Sequence, residues 1–328
     1  MMNQEQIKER LQVMRHQEDS KYVCSDYLFS RPKSQQVGDD TIDHVCRFKM
    51  TEWCYTVIDY IKFRRETVSI AMNYLDRFLA SGCPRAQEVM CSRREYQLAS
   101  MTTLFMAIKI NEPVVVDVHL MTELSKGVYR TSDFKRMETD ILFGLNWYVN
   151  GPTAHSFALH LLTLMQQRQE TMLAMGVSNP SIKYSEILQL VSYKIELAVG
   201  EYSLITQKPS VIATASIWSC LEEFSRNSPY ATTMQQHFFE ITSNFNVEVD
   251  CLQEIKECLE QSKLIRTMKM RSTKTSLLSG HDQQQIHQKS SPKSTSSPMH
   301  PGDTPCTKDD PHHCSPICIS KRNIKRST

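Results

Sequence analysis

The chain has 328 residues, 40 % of them hydrophobic, with only 9 glycines and a net charge of +2 at pH 7. That length holds two domains of ordinary size and a tail, and scarce glycine argues against β-rich and Gly-loop folds. The near-neutral charge excludes a polyelectrolyte, and no apolar run reaches the roughly 18–20 residues of a membrane span. Residues 3–17 place Ile7, Leu11 and Met14 on one stripe among Glu, Gln, Lys and Arg, which predicts an amphipathic helix lying on another part of the fold. A stretch this charged is not expected to be a secretory leader. Residues 18–40 are polar and read as a linker, so residues 1–42 form an N-terminal helix and linker.

Asp40-Thr41 looks like a helix entry, and Val45, Met50, Trp53, Val57, Ile58 and Ile61 keep helical spacing from Asp43 to Phe63. A second helix is predicted from Thr67 to Leu79, closed by Ser81-Gly82 and Pro84. The third, over 94–110, is apolar almost all round and belongs at the centre of a bundle. Pro113 stops it. A short fourth helix is expected near 115–125, ending at Lys126-Gly127. Thr131-Ser132-Asp133 caps a fifth, striped by Phe134, Met137, Ile141, Leu142 and Leu145.

After Asn150-Gly151-Pro152 the plan repeats, with helices expected near 153–169, 182–200, 209–224, 229–243 and 247–265. Pro209 suits a first helical turn, and Val211 to Trp218 is again apolar all round. The predicted fold is all-α: a five-helix unit over 43–150, a second over 151–268, and a disordered tail over 269–328. From Arg266 onward there are 11 Lys/Arg and 4 Asp/Glu, a net of +7 that leaves −5 for the rest. The tail holds Ser-Pro or Thr-Pro at Ser291, Ser297, Thr304 and Ser315, candidate phosphorylation sites for proline-directed kinases, and ends in a basic cluster. Eleven cysteines without a CxxC pair read as reduced thiols of an intracellular protein. Cys306, His312, His313, Cys314 and Cys318 are too irregularly spaced to be taken as a metal site, and no cofactor is implied.

Several motifs of the first unit resemble the cyclin box. Cys46-Arg47-Phe48-Lys49-Met50-Thr51-Glu52-Trp53 is similar to its opening helix, and Asn73-Tyr74-Leu75-Asp76-Arg77-Phe78-Leu79 to its strongest signature. The five residue types that mark the box fall on Arg47, Asp76, Leu98, Lys109 and Glu138. The second unit resembles the family's C-terminal repeat through Pro209-Ser210-Val211-Ile212-Ala213. The resemblance implies two tandem cyclin folds. It also implies a regulatory subunit, not itself an enzyme, that binds and activates a cyclin-dependent kinase in cell-cycle control, in nucleus and cytoplasm. Ala71 to Leu79 leans towards G1 or D-type members, although a Leu-x-Cys-x-Glu motif is missing near the start.

Glu138 sits among Phe134, Ile141 and Leu142, where an unpaired carboxylate would be costly. Spacing alone leaves two roles open: an internal pair with Lys109, or contact with a partner. The resemblance assigns both residues to the kinase backbone, with Met106, Ile110, Leu142 and Trp147 as the apolar surround. Arg47 and Asp76 read as a buried pair joining two helices. Cys46, Met50, Trp53 and Gln97 match the family's groove for docking motifs of substrates or inhibitors, with core packing as the other reading of Met50 and Trp53. Two other classes share some of these features. A DNA-bound two-fold scaffold would want a basic body and often a zinc ribbon, so nucleic acid is disfavoured; a Cys/His hydrolase would want a nucleophile motif, and none is recognisable.

Overall fold

The computed structural model describes residues 2–29, 40–174, 184–225, 229–243 and 248–283. Among them are twelve α-helices and no strand. The first unit is built from α2 (His44–Ile61), α3 (Glu66–Ala80), α4 (Pro84–Met90), α5 (Arg93–Asn111), α6 (Val118–Leu124) and α7 (Thr131–Gly144). The second comprises α8 (Ala154–Ala174), α9 (Tyr184–Gly200), α10 (Pro209–Ser225), α11 (Pro229–Thr242) and α12 (Val249–Gln283). α1 (Gln4–Glu18) precedes both.

α5 is the axle of the first unit. Leu98 to Ile108 are all buried, as an all-round apolar pattern requires. Its buried hydroxyls are satisfied within the helix: Ser100 donates to the Tyr96 carbonyl at 2.8 Å and Thr102 to that of Leu98 at 2.7 Å. Pro113 ends the helix because Glu112, the residue before it, is pushed to extended backbone at φ −95°, ψ 146°. α10 occupies the matching place in the second unit, with Ala213, Ala215, Ile217, Cys220 and Leu221 buried.

Local chemistry corrects several predicted boundaries. Asp43, not Asp40 or Thr41, caps α2, accepting the Cys46 N–H at 2.7 Å. The Asp40 carbonyl instead accepts from Arg93 N–H at 3.0 Å, tying the entry segment to α5. Pro84 does not merely close α3. It is the first residue of α4, the position where a missing N–H costs nothing. α12 runs to Gln283, well past the predicted 265. The four Ser/Thr-Pro sites, Ser291, Ser297, Thr304 and Ser315, and the Cys/His group of the tail lie outside the described residues.

The N-terminal segment does more than link. Ile7, Leu11 and Met14 are buried with Phe157, Leu161 and Leu164 of α8, so α1 lies on the second unit. Glu18 is buried and accepts from Ser210 N–H at 2.9 Å and Ser210 Oγ at 2.5 Å, at the start of α10. Burial raises its pKa, with Ser210 pulling the other way. Cys24 and Tyr27, placed in a polar linker by the sequence, are buried. Gly151 marks the crossing between units: a Cβ there would meet the Tyr22 ring at 2.4 Å.

Candidate functional site

Arg47 on α2 and Asp76 on α3 form the buried pair the sequence predicts, now with its surroundings. Arg47 Nε and Nη2 donate to the two Asp76 oxygens at 2.9 and 2.8 Å. Its Nη1 donates to the Val199 carbonyl of α9 at 2.8 Å, and Tyr27 Oη donates to Asp76 Oδ1 at 2.9 Å. One carboxylate thus holds two helices and the N-terminal segment, and one guanidinium reaches across to the second unit. Burial opposes the Arg47 charge, but Asp76 outweighs it and the pKa is raised. Burial, then Asp76, pushes the Tyr27 hydroxyl well up. Tyr27 and Val199 carry no motif, and only folding brings them here.

The second unit has its own buried cation, which the sequence reading missed. Lys194 on α9 donates to Ser219 Oγ at 2.9 Å and to Glu223 and Glu260 at 2.7 Å each, joining α9, α10 and α12. Burial alone would lower its pKa, but the bonds to Glu223 and Glu260 raise it. Both cations are buried and join helices, although Glu223 and Glu260 of the second node reach solvent.

The Lys109–Glu138 site is different. Lys109 ends α5 and Glu138 lies midway along α7, and they form an ion pair with each other. The lysine side chain is 46 % exposed and the glutamate 18 %. The Lys109 ammonium also lies 5.4 Å from the centroid of the Phe105 ring. Of the two roles left open by spacing, the internal pair is therefore realised in the free chain, but at the surface rather than in the core.

The apolar surround needs correction. Met106 is wholly buried at 0 % exposure and offers no surface, because it lies on the core side of α5. Leu142 is half-buried, and Ile110 and Trp147 are exposed. Phe143, absent from the sequence reading, is 65 % exposed beside Trp147 at 62 %. Its signal was available: Phe143 falls off the Phe134-Met137-Ile141 stripe, where a polar residue is the norm. In the predicted groove, Cys46, Met50 and Gln97 are half-buried, and Gln97 Oε1 accepts from Tyr129 Oη at 3.0 Å. Trp53 is 4 % exposed and belongs to the core, so it lines no groove. No group of His, Cys, Asp and Glu with metal-holding geometry occurs among the described residues.

The family model of the cyclin N-terminal domain matches residues 9–150, and that of the cyclin C-terminal domain matches residues 152–296. The chain belongs to the cyclin family. This cyclin is 25 % identical over 228 residues to a G2/mitotic-specific cyclin-1 of Antirrhinum majus, covering 69 % of this chain and 43 % of that one. It is 24 % identical over 215 residues to the G1/S-specific cyclin-D2 of Mus musculus, covering 65 % and 68 %. Their names fall in different phases of the cell cycle, so the G1 or D-type leaning is not singled out. The chain spans about half the length of the first curated relatives it matches. Among solved structures, a viral cyclin from herpesvirus saimiri aligns with a TM-score of 0.49 at 14 % identity, covering 68 % of this chain and 87 % of that one.

Proposed function

We propose that this cyclin binds and activates a cyclin-dependent Ser/Thr kinase through the face formed by the end of α5 and the length of α7. The observation that carries the reading is the half-exposed Lys109–Glu138 pair set among Ile110, Leu142 and Trp147. An ammonium suits backbone carbonyls and a carboxylate suits backbone N–H groups. On docking, the pair exchanges its internal bond for bonds to the kinase backbone, and the apolar residues are covered.

Activation then follows from differential binding. A kinase transfers phosphate only when the glutamate of its regulatory helix pairs with its strand lysine. A partner that fits that arrangement better than the inactive one shifts the population towards it. The catalytic groups and ATP belong to the kinase, and the cyclin supplies the surface. A role in cell-cycle progression, at G1 or G1/S, and residence in nucleus and cytoplasm are part of the proposal. So is docking of substrate or inhibitor motifs near Cys46, Met50 and Gln97.

The test is co-purification from an extract beside a Lys109→Ala/Glu138→Ala double variant whose helicity is checked by circular dichroism. The wild type is expected to retain a cyclin-dependent kinase and the folded variant to lose it. Equal retention by both would remove this face from the contact.

A further inference from the structure

We infer that α12 is the seam of a homodimer: two copies pair antiparallel through its outward face, the acidic first half of each helix against the basic second half of the other. The inference does not draw on the kinase-partner reading above.

α12 has 35 residues, about 50 Å of helix. Its first half packs on the second unit. Leu252, Ile255 and Leu259 are buried in one cluster with Leu197 of α9 and Ala215 of α10. Ser262 is also buried, and its Oγ donates to Glu201 at 2.5 Å. Arg266 Nη2 lies 3.0 Å from Glu52 of α2. These contacts fix the side of the helix that faces the body.

The opposite side holds Glu254, Glu257 and Gln261, all exposed. Next in line is Leu264, 56 % exposed, with Ile265 beside it at 52 %. The solvent face thus turns from polar to apolar within one turn. It does so where the helix leaves the body, since none of residues 263–267 is buried. The register carries the same line forward to Met268 and Arg271. From Glu254 to Arg271 the steps alternate three and four, the spacing of a helix–helix seam.

Charge reverses at the same place. From Val249 to Ser262 the acids Asp250, Glu254, Glu257 and Glu260 meet one base, Lys256. From Lys263 to His281 the bases Lys263, Arg266, Lys269, Arg271 and Lys274 meet no acid. One helix therefore carries a charged stretch and its complement, with Leu264 and Met268 between them. A continuous helix cannot fold back on itself, so a second copy must supply the match. Antiparallel pairing about a two-fold axis between residues 264 and 268 sets Leu264 against the second copy's Met268. It also brings Arg271 and Lys274 within one turn of the second copy's Glu257. Parallel pairing would set like charges together, which is costly. A two-fold seam uses the same patch on both copies and closes at two. A bilayer is a poorer match, because Ser272 and Thr275 follow on the apolar side and an interfacial helix wants a long apolar face.

Sedimentation equilibrium of the full chain, at several concentrations in low and high salt, tests the seam. Thermal midpoints are taken at dilution. A concentration-dependent dimer is expected, weakened as salt screens the charges. Leu264→Asp is expected to weaken association about tenfold or more with its midpoint level, because Leu264 is already exposed. Glu254→Lys/Glu257→Lys and Arg271→Glu/Lys274→Glu are each expected to lose the dimer to a similar degree. An equimolar mixture of these two double variants is expected to regain it, because each basic half then faces an acidic one. That rescue distinguishes a seam from misfolding. A wild type that stays monomeric throughout, a dimer that Leu264→Asp leaves unchanged, or a mixture no tighter than its parts would overturn the inference. So would a monomeric wild type captured by phosphatidylserine vesicles and released by Arg271→Glu/Lys274→Glu, which would make the partner a lipid surface.

Discussion

Arg47 shows what a residue can be asked to do once it is buried. Its side chain is 4 % exposed, and its three donor groups find partners on two other helices, Asp76 of α3 and Val199 of α9. Removing the guanidinium leaves the Asp76 carboxylate buried with Tyr27 as its remaining named donor. Arg47→Ala is therefore expected to cost about 3–5 kcal/mol, the usual penalty for breaking a buried pair from one side. Chemical denaturation checks this; a loss under about 1 kcal/mol would mean that water relieves the carboxylate. Lys109 is the opposite case, because its own side chain is 46 % exposed and screening limits what the pair adds to folding. Residue types pointed to both pairs, since charged residues on apolar stripes demand partners. They marked Arg47 and Asp76 as the buried pair, but left open whether Lys109 and Glu138 pair with each other or meet a partner. Met106 and Trp53 read alike as apolar positions at helical spacing, and their burial depends on which side of α5 and α2 the neighbouring helices cover.

At the scale of elements, most helices are legible because apolar period, caps and prolines agree. α4 is not. Seven residues hold too little pattern to register, and Pro84 carries two readings, stop and first turn. α1 is legible as a helix but not in its place. Nothing in Ile7, Leu11 and Met14 says that their partners lie some 150 residues away on α8. Nor does Glu18 disclose Ser210. Since Leu11 is buried there, Leu11→Ala is expected to cost about 2–5 kcal/mol, as core truncations do. It should also speed amide exchange in α1 and α8 while leaving α5 and α7 protected. Unchanged stability would mean that α1 is not docked in solution.

For the whole molecule, the two units repeat one plan with different chemistry at the nodes. Arg47 ties the first unit to α9, Arg65 pairs with Glu196 at 2.9 Å, and Thr153 Oγ1 donates to Glu66 at 2.6 Å. With α1 laid across the second unit, chain start, first unit and second unit brace one another. The Lys109 side chain is 46 % exposed at the surface of the first unit, and the end of its helix is bonded through Glu112 to Thr67, next to the Arg65 and Glu66 that tie the units. That arrangement matches a subunit that acts by presenting a rigid surface. The repeat is legible from two all-round apolar helices, α5 and α10. The bracing between units is not, because it uses backbone carbonyls and single hydroxyls that leave no pattern.

Phosphoryl transfer by a purified, partner-free cyclin-dependent kinase to a Ser-Pro peptide, with and without one equivalent of this chain, tests the central claim most directly. The account predicts a saturable rise in rate with the wild type and none with Lys109→Ala/Glu138→Ala. A kinase that binds the chain yet stays inactive, or one that the double variant activates equally, would contradict it.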